Sequence, residues 1–235
     1  MGPVVEHPIS RDRGLADRAE EWLGDAARVV APARPAATVM IVRDGDGGPE
    51  VYVQRRVASM AFAPSTMVFP GGAVDPVDHA LDPGTPGVVE LAEAMGATAQ
   101  DAAPFAAAAV REVEEECGVR LEVAALRGRA HWVTPAFEPR RFDTWILAAG
   151  LPPGQEPRET SGESDHGAWV RARDLLERHA AGDVRMLPPT VVSLGRLASF
   201  ADAAAFLAYR PKVAQVLPEL VRRDDGTLVL RTVLP

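Results

Sequence analysis

The feature that most constrains the fold is the segment AAAAVREVEEECGVR, residues 106–120. On a helical wheel one side of this segment carries only small and apolar residues, which is the pattern of a helix whose stripe faces a core. These residues are Ala106, Val110, Val113 and Cys117. Gly118 follows the stripe and is a natural residue for ending a helix, so the sequence predicts a helix over residues 101–117.

The opposite side of this helix carries a cluster of carboxylates. Glu112, Glu115 and Glu116 stand at i, i+3 and i+4, and such like-charged neighbours cost about 0.2–0.5 kcal/mol per pair. Carboxylates near a helix C-terminus also face the unfavourable end of the macrodipole. A divalent cation would turn both penalties into ligation, because Mg²⁺ prefers carboxylate oxygens. The helix by itself leaves two interpretations open, a solvated charged face and a metal site.

Strand-like and helical segments alternate along the rest of the chain, which favours an α/β sandwich. The sequence predicts an N-terminal helix at about residues 14–30, a β-hairpin at 36–44 and 51–56, and a short strand in TMVFPGG that runs into a glycine turn. Further strands are predicted at residues 120–126, 130–134, 141–149 and near Val170, and a short helix within 87–100. Residues 75–86 are predicted to form a loop.

The C-terminal part is predicted as a helical extension over about residues 173–235. A terminal hairpin closes it, at residues 215–221 and 227–233, around the turn Asp224–Asp225–Gly226. No internal repeat or long linker divides the chain, so a single domain over residues 1–235 is expected.

The composition excludes several classes of function. A net charge of −8 without a basic run disfavours nucleic-acid binding, which depends on phosphate contacts. No apolar run approaches membrane-spanning length, and the N-terminus lacks the apolar core of a signal peptide. Cys117 is the single cysteine, which agrees with a reducing compartment. We therefore expect a cytoplasmic protein with neither a nucleic acid nor a membrane as its partner.

The context of the glutamates favours the metal-site interpretation. Residues 111–119, REVEEECGV, fit the pattern R-E-U-x-E-E-x-G-U, in which U is aliphatic, and FPGG at residues 69–72 stands upstream. Together these motifs resemble the Nudix box, G-x5-E-x7-R-E-U-x-E-E-x-G-U, of hydrolases that cleave a nucleoside diphosphate linked to another group. The resemblance implies a Nudix-type α/β/α sandwich with a mixed central sheet and extra C-terminal helices.

The first half of the box departs from this consensus. Asp78 stands six residues after Gly72, where the consensus has Glu, and residue 103, eight before Arg111, is an alanine. Residues 79–110 separate Asp78 from Arg111 in place of seven, so an insertion of about 25 residues, at about 79–103, interrupts the box. Either Asp78 takes the role of the acidic residue or that role is lost.

Other motifs resemble the coenzyme A diphosphatase branch with an interrupted box, the mammalian peroxisomal type. They are VFPGGAVDPVD, RRFDT and MLPPT, and the resemblance spans about residues 36–197. In the coenzyme A signature of the family, Arg56 matches the first Arg, whereas Ala61 and Ser65 occupy the other two positions. The resemblance implies coenzyme A or an acyl-coenzyme A as substrate. ADP-ribose or another nucleoside diphosphate derivative, and ligand binding without turnover, stay open as alternatives.

The resemblance also implies roles for individual residues. Mg²⁺ or Mn²⁺ is expected on Glu115 and Glu116 with the Gly71 carbonyl, and Glu112 is a further ligand or the base that activates water. Arg111 is expected to orient a catalytic glutamate. Many relatives pair as dimers, so a homodimer is left open.

Residues outside the box complete the predicted site. Glu163, six residues before Trp169, is a second candidate for the base or an extra ligand, with an ordinary polar loop residue as the alternative. Arg56 and Arg141 are candidates for binding phosphate, because guanidinium groups match phosphate oxygens. Trp132 and Phe142 are candidates for stacking on a nucleobase, with core packing as the alternative for both.

Overall fold

The computed structural model describes residues 3–9, 13–59, 63–162 and 164–234. In chain order the strands are β1 (Val4–Pro8), β2 (Ala33–Gly45), β3 (Gly48–Arg56), β4 (Thr66–Val68), β5 (Gly71–Ala73), β6 (Arg127–Val133), β7 (Arg141–Gly150), β8 (Ser164–Arg171), β9 (Arg185–Met186), β10 (Gln215–Val216), β11 (Glu219–Arg222) and β12 (Leu228–Val233). The helices are α1 (Arg13–Gly24), α2 (Val88–Met95), α3 (Ala99–Cys117), α4 (Ala172–Ala181), α5 (Pro188–Leu197) and α6 (Ala203–Ala208).

A mixed sheet lies at the centre of the fold. Its main path runs in the order β10, β6, β7, β2, β3, β4 and β9, with β5 pairing to β2 and β8 to β3. The long strands β2 and β7 run parallel, and the predicted β2–β3 hairpin is confirmed, with Gly45 opposite Gly48. Gly47 in the turn between them has φ +98°, a conformation that glycine adopts without strain.

Alternation along β2 gives the sheet two apolar faces. Val39 and Ile41 are fully buried against α3, while Met40 and Val42 are buried in a second core with α4, α5 and α6. A strand buried on both sides reads as a continuous hydrophobic run, as TVMIV does here. Helices therefore cover both faces of the sheet, and the predicted α/β/α sandwich with a mixed central sheet and additional C-terminal helices is confirmed.

Helix α3 begins and ends close to the predicted positions. The Thr98 hydroxyl accepts the Asp101 amide at 3.2 Å and caps the first turn. Gly118 ends the helix with φ +66°, and its amide donates to the Glu114 carbonyl at 2.9 Å. Ala106, Val113 and Cys117 of the predicted stripe are fully buried. The opposite side of the helix, which carries the glutamates, therefore faces away from this core.

The insertion forms a helical hairpin with the start of α3. Helix α2 buries Val88 and Ala92 against Ala102 and Ala103 of α3. Gly87 precedes α2 with φ +93°, and a Cβ at this position would lie 2.7 Å from the Ala124 amide nitrogen. The insertion thus packs on the N-terminal part of α3. Ala103 precedes Glu112 by nine residues, which is about 13 Å along a helix that rises 1.5 Å per residue.

Two of the predicted elements are wrong in extent or type. Helix α1 ends at Gly24, because side chains beyond it bind the main chain locally: Asp25 Oδ1 accepts the Ala27 amide at 2.8 Å. Residues 120–126 are not a strand. Leu121 and Leu126 are both buried and enclose a single 3-10 turn, Val123–Ala125, so the apolar residues there anchor a turn instead of alternating between two faces.

The chain ends in strands after the helical part of the C-terminal extension. The predicted terminal hairpin is present as β11 and β12, but its first strand begins at Glu219, because residues 215–216 form β10 and pair with β6 instead. Strand β1, which the sequence did not predict, pairs with β12 to complete a three-stranded antiparallel sheet. Helix α1 packs on this sheet through Ala19, and Arg18 forms a bidentate pair with the buried Glu138 at 3.0 and 3.1 Å. None of the described helices is long and apolar enough to cross a membrane.

Candidate active site

The Arg111 side chain joins the two halves of the interrupted motif. Its Nε and Nη2 donate to the two carboxylate oxygens of Asp78 at 3.0 and 2.9 Å, and Nη2 also donates to the Ala73 carbonyl at 3.1 Å. Its Nη1 donates to Glu112 at 2.8 Å and to Glu115 at 3.2 Å. One guanidinium on α3 therefore holds the start of the insertion, the end of β5 and two of the predicted metal ligands.

Asp78 stands at the position of the consensus glutamate and binds Arg111 across the insertion. Its side chain is 2 % exposed, and burial alone would raise its pKa. The hydrogen bonds from Arg111 and from the Asp75 amide, at 2.7 Å, outweigh burial and lower the pKa of Asp78. The hydrogen bond to Asp78 first, and then the one to Glu112, outweigh burial and raise the pKa of Arg111 above its ordinary value. The pair is thus ionised, and of the two alternatives that the sequence left open, Asp78 in the role of the acidic residue is the one that this geometry favours.

The two glycines of FPGG let the chain pass close to the glutamates. Gly71 has φ +149°, and a Cβ there would lie 2.5 Å from Thr38 Cα. A Cβ on Gly72 would lie 2.5 Å from Glu112 Cδ, so that any side chain would displace this carboxylate. The Gly71 amide donates to Glu116 Oε2 at 3.1 Å. Strand β5 is thereby held between β2 and the glutamate-bearing side of α3.

The three glutamates that are predicted as metal ligands lie at different depths. Glu116 is 7 % exposed beside Gly71, the Glu112 side chain is 15 % exposed beside Gly72, and the Glu115 side chain is 60 % exposed at the rim. Gly71 contacts Glu116 through its amide, whereas the sequence predicted its carbonyl as a ligand.

Oxygen donors of this kind fit Mg²⁺ or Mn²⁺, which bind carboxylates and main-chain carbonyls. Within the described ranges, however, no group of three or more His, Cys, Asp or Glu side chains is arranged to hold a metal ion. The Arg111 guanidinium binds both Glu112 and Glu115 and supplies positive charge to their carboxylates. The donor set therefore suits a hard divalent cation, although its carboxylates are bound to protein groups here.

A loop after β7 binds the end of the glutamate helix. The Thr160 amide donates to the Glu116 carbonyl at 3.1 Å, the Thr160 hydroxyl donates to the Glu115 carbonyl, and the Arg158 amide donates to the Cys117 carbonyl at 2.9 Å. These bonds satisfy carbonyls that have no partner within the helix. The role of Thr160 could not be predicted from the sequence, because the composition of a loop does not show which helix end the loop contacts.

The same loop leads to the second predicted base. Glu163 itself lies outside the described residues, between Gly162 and the first residue of β8. Arg56, at the end of β3, pairs in register with Ser164 and is half-buried. Arg56 thus lies beside the segment that the sequence connected with catalysis, and its role in substrate binding stays a prediction.

Two predicted substrate contacts occupy structural positions instead. Trp132 is 3 % exposed and packs in the core under α4 and α5, because its position in β6 points to that face; this leaves no ring face for a nucleobase. Arg141 donates to three main-chain carbonyls, those of Ala31, Thr134 and Pro135, at 2.7, 3.0 and 3.2 Å. The position of Trp132 fits the core-packing alternative, and the substrate roles of both residues stay predictions. Phe142 is half-buried, and the stacking predicted for it is untested.

A glycine-containing strand meets a glutamate-bearing helix in this α/β/α sandwich, and the similarity of the chain to known proteins identifies it as a hydrolase that acts on pyrophosphate bonds. A family model described as the NUDIX domain matches residues 32–189, which is more than half of the chain. The chain belongs to the Nudix family, whose members generally use divalent metal ions and act on small molecules.

Several solved structures are similar to this chain. The NUDIX hydrolase from Alicyclobacillus acidocaldarius is similar with a TM-score of 0.65 and 27% identity, over 77% of this chain and 98% of that one. The MutT NUDIX hydrolase from Burkholderia pseudomallei matches with a TM-score of 0.48 and 20% identity, over 70% and 98% of the two chains. An Ap4A hydrolase from C. elegans matches with a TM-score of 0.42 and 19% identity, over 74% and 98%. No curated protein matches the sequence.

Proposed function

We propose that this Nudix hydrolase cleaves the diphosphate linkage of coenzyme A or an acyl-coenzyme A, with Mg²⁺ or Mn²⁺ on Glu112, Glu115 and Glu116. The observation that carries the proposal is the position of Arg111. Its bonds to Asp78 and to Glu112 bring the two separated parts of the Nudix box together, despite the insertion between them.

The residues of the site have different roles in the reaction. A bound divalent cation would lower the pKa of water and withdraw charge from the phosphate oxygens. Glu112 or Glu163 accepts a proton from the attacking water, whose oxygen forms a bond to one phosphorus. The anhydride P–O bond breaks, and the leaving phosphate keeps the electron pair. With coenzyme A the products are a 3′-phosphorylated adenosine phosphate and phosphopantetheine.

Arg111 acts on this reaction by positioning. Its pairs with Glu112 and Glu115 fix two carboxylates on the exposed side of α3, and its pair with Asp78 fixes the guanidinium in turn. Glu116 is held separately by the Gly71 amide. The carboxylates are thus ordered before any ligand binds, which favours turnover over a domain that only binds a ligand.

The insertion supports turnover in a second way. Helix α2 packs against Ala102 and Ala103 and leaves the Glu115 side chain 60 % exposed. An insertion that covered the carboxylates would have favoured the binding-only alternative.

The substrate class depends on the sequence motifs. In VFPGGAVDPVD, the Asp78 carboxylate binds Arg111 and the main-chain amide of Asp75 supports that carboxylate. These contacts do not depend on which diphosphate substrate is bound. Arg56 and the motifs RRFDT and MLPPT favour coenzyme A. ADP-ribose or another nucleoside diphosphate derivative is the alternative substrate.

A substrate panel tests the proposal. Coenzyme A, an acyl-coenzyme A and ADP-ribose are incubated with wild-type protein in Mg²⁺ or Mn²⁺, with excess EDTA as the control, and kcat/KM is measured for each. We expect hydrolysis that requires the metal and is fastest for a coenzyme A species. No turnover of any compound would refute the enzymatic proposal, whereas much faster cleavage of ADP-ribose would refute the substrate class alone.

We also propose an assembly and a location for the protein. The family resemblance suggests a homodimer and the cysteine content suggests the cytoplasm. Light scattering of the purified protein tests the first, and imaging of a tagged chain in its own cell tests the second.

A further inference from the structure

An open cavity of about 610 Å³ lies beside the end of the glutamate helix, outside the Nudix box. It is formed where β7 ends and β6 begins, next to the end of α6. Its lining includes Arg120, Arg127, Arg210, Gly150, Pro152 and Leu207. A volume of this size is in the range of pockets that hold small molecules, about 300–1,000 Å³.

Two of these arginines have hydrogen-bond donors that no group among the described residues uses. Arg127 donates from Nη1 to the carbonyls of Ala124 and Leu126 at 2.7 and 2.8 Å, and Arg210 donates from Nη1 to the carbonyls of Leu207 and Tyr209. In the part of the chain that the structure describes, their Nε and Nη2 groups have no hydrogen-bond partner and neither side chain forms a salt bridge. Both arginines therefore retain donors for a ligand.

A buried arginine adds charge behind the cavity wall. Arg129 is 5 % exposed and donates to the carbonyls of Phe206 and Tyr209 at 3.0 and 2.9 Å, where α6 ends. Burial first, and then the charges of Arg210 and Arg127, lower the pKa of Arg129 to about 10. These arginines thus repel one another.

Nearby carboxylates balance this charge only in part. Burial and then Arg210 lower the pKa of Arg127, and Glu90 counteracts this shift without reversing it. Glu122 also lines the cavity, but it forms no salt bridge within the described residues. Arg120, at the edge, already pairs with Glu114 at 2.9 Å. The four arginines at this cavity outnumber these three carboxylates, so an added anion would reduce the repulsion among the arginines.

We propose that this cavity binds the phosphate group of a small molecule, through Arg127 and Arg210 and apart from the carboxylates of the Nudix box. Guanidinium groups suit phosphate oxygens because each presents several N–H donors in one plane. Pro152 and Leu207 provide apolar walls for the rest of the ligand. The site is connected to the box helix through Arg120, whose amide donates to Gln155 at 2.7 Å and whose side chain pairs with Glu114.

Titration with inorganic phosphate tests the site without turnover. The full-length protein is kept metal-free with EDTA, so the box carboxylates cannot bind phosphate through a cation, and binding is followed by calorimetry. We expect saturable binding that Arg210→Gln and Arg127→Gln each weaken about tenfold or more. Arg173→Gln is the matched control, since Arg173 is an exposed arginine on α4 and its loss changes the net charge equally.

Two outcomes overturn the proposal: no saturable binding to wild type, or equal weakening by Arg173→Gln. Circular dichroism checks that each variant is folded. Arg210 is exposed and follows the end of α6, so Arg210→Gln carries the test alone if Arg127→Gln does not fold. Because this titration requires no hydrolysis, its result is independent of the proposed diphosphatase activity.

Kinetics with metal then distinguish the source of the phosphate. Two nucleoside diphosphate substrates that differ only in a 3′-phosphate are compared in wild type and Arg210→Gln. A KM raised only for the phosphorylated substrate assigns the site to a phosphate of the substrate. Unchanged KM values, with loss of an effect of added phosphate on the wild-type rate, assign it to a separate phosphate compound.

Discussion

Asp78 and Arg111 form a bidentate ion pair, with N–O distances of 3.0 and 2.9 Å, between the two ends of the segment that interrupts the Nudix box. The pair lets a long insertion exist inside a catalytic motif. The contact between Asp78 and Arg111 holds the two ends of residues 79–110 together. The glutamates of α3 therefore lie against Gly71 and Gly72 despite the insertion.

We expect Asp78→Asn to impair both stability and hydrolysis. The substitution leaves the partly buried Arg111 with less compensating charge, so the free energy of unfolding should fall by roughly 1–3 kcal/mol. Asp75→Asn is the matched control, because the Asp75 carboxylate lies 3.9 Å from Arg111 and is half exposed. Urea unfolding and kcat/KM on both variants check this, and equal effects at the two positions would contradict it.

Gly72→Ala is expected to reduce activity more than stability. The added Cβ would meet the Glu112 carboxylate and displace it from its position beside β5. Gly195→Ala serves as the comparison, because Gly195 lies in α5 and a Cβ there would meet no atom within 4 Å. This control should raise the free energy of unfolding by about 0.5–1 kcal/mol. Thermal unfolding and steady-state rates separate the two effects. An unchanged rate in Gly72→Ala would argue against a role for the Glu112 position.

Thr160→Val is expected to lower kcat/KM by about tenfold, because the Thr160 hydroxyl fixes the main chain at Glu115. The stability loss should be about 1 kcal/mol, the usual value of one hydrogen bond. Thr160→Ser keeps the hydroxyl and should restore the rate. If Ser and Val lower the rate equally, the hydroxyl bond is not what positions the helix end.

Stability should also depend on the protonation of His7. Burial first, and then the charge of His179, lower the pKa of His7 below 6.5 in the folded state. The unfolded chain therefore binds this proton first, and the free energy of unfolding should fall as the pH drops below about 6.5. Urea unfolding between about pH 7 and pH 5 should show this loss in wild type and a smaller one in His7→Gln. His166→Gln, at an exposed position on β8, should behave like wild type.

Sequence periodicity predicted helix α3 correctly because the signals for it are local. The stripe of Ala106, Val113 and Cys117 repeats within one helix, and Gly118 ends it through its own backbone conformation. The contact between Asp78 and Arg111 is different, since it depends on how α2 folds back on α3. The spacing of the motif could not decide whether Asp78 takes the role of the acidic residue or whether that role is lost.

Side-chain direction limited the prediction of the substrate contacts. Whether Trp132 points to the core or to a ligand depends on the register of β6, where the pairing shifts between Gly128 and Ala130. The sequence suggests that Arg141 is exposed and able to bind an anion. In the structure its guanidinium donates to three main-chain carbonyls from two separate segments. Strand β1 was missed because its partner, β12, lies at the other end of the chain.

The most direct test of the account compares Glu115→Gln with Glu114→Gln in the presence of Mg²⁺. The two residues are adjacent on α3 and similarly exposed, at 60 and 54 % of their side chains, but Glu114 pairs with Arg120 and not with Arg111. The account predicts that Glu115→Gln lowers kcat/KM for the preferred diphosphate substrate by about 100-fold or more, with Glu114→Gln within about twofold of wild type. Equal rates in the two variants would contradict it.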